Sequence, residues 1–117
     1  MELTTIRQNE TLSHVKISGR LDTRGVDRIE ARFNALTVAG GRNAVIDLQD
    51  LELITSMGIR MLVTAANALA NRGRKLVLLN PQGVVDETLR ATDLYAVIPM
   101  ARTMNEAEQL CAGTEAR

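Results

Sequence analysis

Apolar and polar positions alternate along the first part of the chain. Residues 2–8 alternate weakly. Residues 12–18 alternate more clearly, with Leu12, Val15 and Ile17 apolar. A period of two predicts strands, and Asn9-Glu10 between them predicts a tight turn, hence a hairpin whose first strand lies at an edge. His14 falls on the second strand and reads as a surface or edge-strand residue. Gly19-Arg20-Leu21-Asp22 ends that strand. Asp22 or Thr23 then caps a segment in which Val26, Ile29, Phe33 and Leu36 recur at helical spacing between charged residues, the pattern of a helix with one buried stripe. Gly40-Gly41 stops it.

The consecutive apolar residues of 44–48 suit a central strand buried on both faces. A second helix is expected from about Met57 to Asn71. Ile59, Leu62, Val63, Ala66, Leu69 and Ala70 make its inner stripe, and Met57, Met61, Thr64 and Asn67 its outer face. Gly73 closes it. Residues 75–79 form another buried strand, 80–83 a turn, 84–91 a short helix and 95–98 a last strand in which Tyr95 packs. Thr103-Met104-Asn105-Glu106 matches a capping box. The helix that follows turns Ala107, Leu110 and Cys111 inward, and the tail after Gly113 frays. This order predicts a single α/β domain over 1–117, with an ordered core of about 2–112. Its mixed sheet is mainly parallel with an N-terminal antiparallel hairpin, about four to five strands and four helices, joined by right-handed crossovers. In open α/β sheets function gathers at the carboxyl ends of strands. The 19–23, 49–56 and 80–83 loops all leave such ends.

Composition narrows the function. Lys plus Arg and Asp plus Glu each total 14, and the aromatics are Phe33 and Tyr95 alone. Nucleic-acid binders usually carry a basic excess and stacking aromatics, so a nucleic-acid partner is not expected. Cys111 is the only cysteine. That excludes an intramolecular disulfide, and no Cys/His cluster has metal-ligand spacing. MELTTIRQNE lacks the apolar core of a signal peptide, and no run approaches the roughly 18 apolar residues of a membrane span. A cytoplasmic protein without membrane insertion is expected.

The most informative stretch runs from Ala44 to Met61 (AVIDLQDLELITSMGIRM), where a strand leads through a polar loop to Thr55, Ser56 and Gly58 at a helix start. As a nucleophile elbow, G-x-S-x-G, it is half complete, because Ile54 occupies the first glycine position. The single histidine, His14, has no reason to lie near Ser56. Phosphate-cradling glycine motifs are absent. Asp47 with Asp50, and Asp86 with Glu87, read as solvated charge, although Asp47 can bond backbone in the loop after its strand. No catalytic residue, metal site or cofactor is expected, and the chain does not read as an enzyme. Two readings of Ser56 stay open. It is a plain helix cap, or it accepts a phosphoryl group where the helix dipole favours an anion. Asp22 is likewise either a cap or a partner contact, and Arg60 either meets a partner or is solvated.

These residues resemble the STAS domain family, in particular the stand-alone bacterial anti-sigma factor antagonists. The resemblance covers nearly the whole chain. It rests on the element order, the Gly19-Arg20-Leu21-Asp22 step, and the strand end followed by a loop into Thr55-Ser56-Met57-Gly58-Ile59, where the family reads Asp-Ser-Ser-Gly-[Leu/Ile]. It implies a partner switch. The unphosphorylated antagonist binds an anti-sigma factor with a GHKL-type serine kinase fold and so releases a sigma factor. Phosphorylation of Ser56 blocks binding, and a metal-dependent serine phosphatase resets the cycle. Asp22, Thr55, Ser56, Met57, Gly58, Arg60, Met61 and Thr64 form the expected partner surface. Thr55 stands where the family has an acid, and Met57 where it has a second serine; Thr55 is thus a second acceptor candidate. STAS domains also brace ABC-type lipid transporters and join stress-signalling assemblies, which is the alternative role.

Overall fold

The computed structural model describes the backbone of residues 1–115 and the side chains of residues 1–112. Residues 116–117, at the end of the tail expected to fray, lie outside the described residues.

The fold is organised around one long strand. β1 (Glu2–Gln8) pairs antiparallel with β2 (Leu12–Leu21), with Leu3 opposite Ile17. The Asn9 side chain accepts the N–H groups of Thr11 and Leu12, each at 2.9 Å, and so closes the hairpin locally. β3 (Asn43–Asp47) pairs parallel with the first half of β2. β5 (Leu76–Leu79) and β6 (Met100–Ala101) extend the sheet in the order β1-β2-β3-β5-β6. The α/β class, the hairpin and the otherwise parallel sheet are as the sequence pattern predicts.

Three features differ. β2 does not end at Gly19. It passes through that residue at φ +100° and continues to Leu21. Beyond the glycine it pairs parallel with an additional strand, β4 (Leu51–Ile54), which occupies half of the expected 49–56 loop. Glycine accepts this backbone without a Cβ clash, so here it continues a strand with an irregular register instead of ending it. The expected strand at 95–98 is absent. Leu94–Ala96 form a 3-10 turn entered through Asp93 at φ +57°, and Leu94 and Ile98 are buried. The strand falls later, at Met100–Ala101, giving six strands. Tyr95 therefore does not pack in a strand. Its hydroxyl donates to Asp86 at 2.7 Å, fastening the turn to α3 (Gly83–Ala91).

Four helices cover the sheet: α1 (Thr23–Leu36), α2 (Ser56–Ala70), α3 and α4 (Met104–Glu115). Phe33 of α1, Leu62 of α2 and Leu89 of α3 pack with Ile17, Ile46 and Leu78 on one face. Ala107 and Cys111 of α4 pack with Leu12, Val45 and Val77 on the other. Alternation along β3 sends Ile46 to one core and Val45 to the other, as its consecutive apolar residues foretold. α4 begins with the expected capping box. Thr103 Oγ1 accepts the Glu106 N–H, and the Glu106 carboxylate accepts the Thr103 N–H, each at 3.2 Å. α1 stops at Leu36, before Gly40-Gly41, and Gly41 at φ +64° serves the turn that follows. Asp22 caps α1 by accepting the Gly25 N–H at 2.9 Å. Asp22→Ala is expected to lower stability by about 1 kcal/mol in urea unfolding, the usual cost of an N-cap.

His14 is not a surface residue. It shares a face of β2 with Leu12, the face on which α4 packs, and is 9% exposed, with no hydrogen-bond partner for Nε2 among the described residues. Burial pulls its pKa below the ordinary 6.5. Arg7 acts in the same direction, while Asp47 and Glu108 oppose it. The unfolded chain therefore takes up this proton first as pH falls. The associated stability is complete above 6.5 and declines below it, toward the lower folded value. The C2 proton of this single histidine is expected to titrate in NMR with a midpoint below 6.5; a midpoint above it would contradict the burial argument.

Candidate functional site

β2 and β4 end side by side, with Leu21 opposite Ile54. α1 starts just after the first and α2 just after the second, so this pairing brings the 19–23 loop to the start of α2. The contact is made by Thr55. Its backbone N–H donates to the Leu21 carbonyl at 3.1 Å and its hydroxyl to the same oxygen at 3.2 Å. An ionised aspartate, the residue that the family resemblance leads one to expect here, has no proton to donate and could not make the second bond. Threonine thus supplies a latch to β2.

Thr55 is also the N-cap residue of α2, with φ −110° and ψ 177°, yet its side chain makes no capping hydrogen bond. The helix starts one residue earlier than the sequence pattern placed it. Ser56 is consequently its first helical residue and does not cap it. Ser56 is exposed, and its hydroxyl has no hydrogen-bond partner among the described residues. The backbone N–H groups of Ser56, Met57 and Gly58 also find no acceptor there; the first bonded amide is that of Ile59, to the Thr55 carbonyl at 3.0 Å. This end of the helix carries partial positive charge and unused donors.

The expected partner residues divide into two groups. Ser56, Arg60 and Thr64 are exposed, and Met57 is 38% exposed beside them. Gly58 and Met61 are not on the surface. A Cβ on Gly58 would lie 2.8 Å from both Leu21 Cγ and the Leu21 carbonyl oxygen, and 2.9 Å from Ile54 Cγ1. The missing side chain lets the first turn of α2 sit directly on the strand ends. Met61, one turn further along the same inner face, is 2% exposed and belongs to the core, which corrects its assignment to the outer face. The buried stripe is Gly58, Met61, Leu62, Ala65 and Leu69, while Ala70, expected inside, is exposed. Asp22 is half-buried and engaged, capping α1 and facing Arg20 at 3.9 Å.

Among the described residues Ser56 forms no pair with His14. His14 and Leu21 are seven strand residues apart, about 23 Å, and Ser56 lies beyond Leu21. Asp47 accepts the Gln49 N–H at 2.9 Å, and Asp50 pairs with Lys16. Asp86 is held below the usual carboxylate range, first by the Tyr95 hydroxyl and then by Arg90 and Arg102. Among the described residues no His, Cys, Asp or Glu cluster is placed to hold a metal, and no helix is long and apolar enough to cross a membrane. One surface feature escaped sequence reasoning. Val84, just after the 80–83 loop on the same rim, is 51% exposed. Val85, beside it, is fully buried.

A profile of the STAS domain family matches residues 4–107. The chain belongs to the STAS family. BtrV of Bordetella bronchiseptica, whose name assigns it to the anti-sigma factor antagonists, is 26% identical over 91 residues, 78% of each chain. An anti-sigma factor antagonist from Mycobacterium paratuberculosis superposes with a TM-score of 0.80 at 23% identity, covering 95% of both chains. The antagonist SpoIIAA in its unphosphorylated form gives 0.76 at 16% identity, covering 93% of this STAS chain and 96% of its own. The phosphorylated form of Bacillus SpoIIAA gives 0.69 at 15%, covering 93% and 99%.

Proposed function

We propose that this STAS protein is an anti-sigma factor antagonist of a partner-switching pathway. It acts in the cytoplasm and performs no chemistry of its own. Unphosphorylated, it binds an anti-sigma factor with a GHKL-type serine kinase fold and releases a sigma factor. Phosphorylation of Ser56 blocks that binding, and a metal-dependent serine phosphatase restores it.

The observation that carries the reading is the state of Ser56. It is exposed, its hydroxyl is unengaged, and it opens a helix whose first N–H groups have no acceptor among the described residues. A phosphate there meets donors and a favourable dipole. Thr55 is the weaker acceptor, because its hydroxyl is tied to the Leu21 carbonyl. The proposed contact surface is Ser56, Met57, Arg60 and Thr64, with Asp22 at its margin. The fold is similar to that of SpoIIAA in both its unphosphorylated and its phosphorylated form.

The test is a pull-down from native lysate with wild-type and Ser56→Asp baits, read by mass spectrometry. The captured kinase is then incubated with ATP and with Ser56→Ala or Thr55→Ala protein. A GHKL-type kinase held by wild type, lost with Ser56→Asp and unable to phosphorylate Ser56→Ala supports the switch. An ABC ATPase or other STAS proteins held equally by both baits would instead establish an adaptor.

A further inference from the structure

β1 is the outer strand of the sheet, and its far edge pairs with no other strand among the described residues. Such an edge presents backbone N–H and C=O groups to any extended chain that comes alongside. Its register shifts between Thr5 and Arg7, so the regular part of the edge is Glu2–Thr5. That stretch forms one wall of a cleft whose other wall is α1. Leu3 and Ile29, both buried, line its floor, and Arg28 and Arg32 stand over it. The cleft continues past Arg28 toward Arg24 and Arg20, which line the adjoining depression.

Arg24, Arg28 and Arg32 are exposed and recur every four residues along one side of α1. Like charges at this spacing repel one another. Arg20 faces Asp22, but no ion pair holds Arg24, Arg28 or Arg32 among the described residues. Glu2 and Glu52 lie nearby without neutralising them. Arg28 and Arg32 thus line a cleft beside an unfilled sheet edge, and Arg24 lines the adjoining depression, in a chain whose formal net charge is zero.

The spacings decide the occupant. Four residues of helix rise about 6 Å. Alternate residues of a strand, which share one face, lie about 6.6 Å apart. A strand lying on β1 therefore presents every second side chain at nearly the spacing of the arginines. A second copy of this chain is disfavoured, because edge-to-edge pairing would set two arginine rows together. A lipid surface is too flat to enter the cleft, and none of its lining residues is an aromatic on which a base could stack.

We propose that the cleft between β1 and α1 takes an extended acidic segment of a partner protein, added to β1 as a strand, with carboxylates at alternate residues facing Arg28 and Arg32. Backbone hydrogen bonds to Glu2–Thr5 hold the segment, and the arginines select its sequence. This inference does not depend on Ser56.

The test uses the full chain and a short synthetic peptide alternating glutamate and valine. Binding is followed by fluorescence anisotropy and by amide NMR shifts. The expected result is a salt-sensitive complex that shifts the amides of Glu2–Thr5. Binding falls about tenfold or more in the double variant Arg28→Glu with Arg32→Glu, given the weight of arginine at such contacts. A peptide with a central proline, which lacks one backbone donor, also binds less well. Arg28→Ala with Arg32→Ala, checked for folding by circular dichroism, repeats the loss without charge reversal. Ser56→Asp binds the peptide as wild type does. Several outcomes overturn the proposal: no binding, equal binding by the double variants, equal binding of a lysine–valine peptide, shifts that leave β1 untouched, or tighter binding of oligothymidylate in the same cleft.

Discussion

Ser56→Asp is expected to weaken binding to the proposed anti-sigma kinase about a hundredfold while leaving thermal unfolding close to wild type. The two halves of this result have separate causes. Within the folded domain, a negative charge at the first residue of α2 faces its own amide groups and the helix dipole, worth about 0.3–1 kcal/mol of stabilisation at an exposed site. No buried group is disturbed, since Ser56 is exposed and its hydroxyl bonds to none of the described residues. In the proposed complex the same charge would be covered by the partner. A buried anion without a new cation costs several kcal/mol, and each 1.4 kcal/mol is a factor of about ten in affinity. Calorimetric titration of the purified kinase with wild-type, Ser56→Asp and Ser56→Ala proteins measures this. Ser56→Ala is expected to bind as wild type does, because only a hydroxyl is lost. Equal affinity of the Asp variant and wild type would sink the switch.

Gly58→Ala is expected to destabilise the domain by about 1–3 kcal/mol, the cost of forcing extra volume into a packed site. Helix propensity points the other way, since alanine is better than glycine inside a helix by about 1 kcal/mol. Packing wins because two of the three short contacts of a new Cβ, the Leu21 carbonyl and Leu21 Cγ, belong to a strand end held in the sheet. Relief requires α2 to lift from that end, which stretches the Thr55–Leu21 bonds and moves Ser56. Urea unfolding followed by circular dichroism supplies the measurement, and Met57→Ala, altering a partly exposed neighbour, is the control with little effect. A Gly58→Ala protein as stable as wild type would show that the close approach is dispensable.

The site was legible from the sequence up to the first turn of α2 and no further. Thr55-Ser56-Met57-Gly58 marked the place, and the exposed Ser56, Arg60 and Thr64 were all named. Met61 was assigned to the wrong face. Periodicity fixes which residues share a side of a helix, but here polar Thr64 and Asn67 lie close to the boundary of the buried stripe. Gly58 rotates that boundary by letting the first turn press onto Leu21 and Ile54. His14 was misread for a related reason. Its strand reads as half-exposed, but α4, distant along the chain, packs on the face of β2 that His14 shares with Leu12.

Local chemistry by itself determined the hairpin turn at Asn9, the Asp22 cap, the capping box at Thr103, the helices and the central parallel strands, because each is encoded by residues a few positions apart. The tertiary structure alone decided the rest. It continued β2 through Gly19 to meet β4, turned residues 94–96 into a 3-10 turn tied to Asp86, latched Thr55 to Leu21, and set the arginines of α1 beside β1. These arrangements join residues distant along the chain. A short window of sequence records how a segment divides its apolar and polar sides, but not which strand end or helix comes to lie against them.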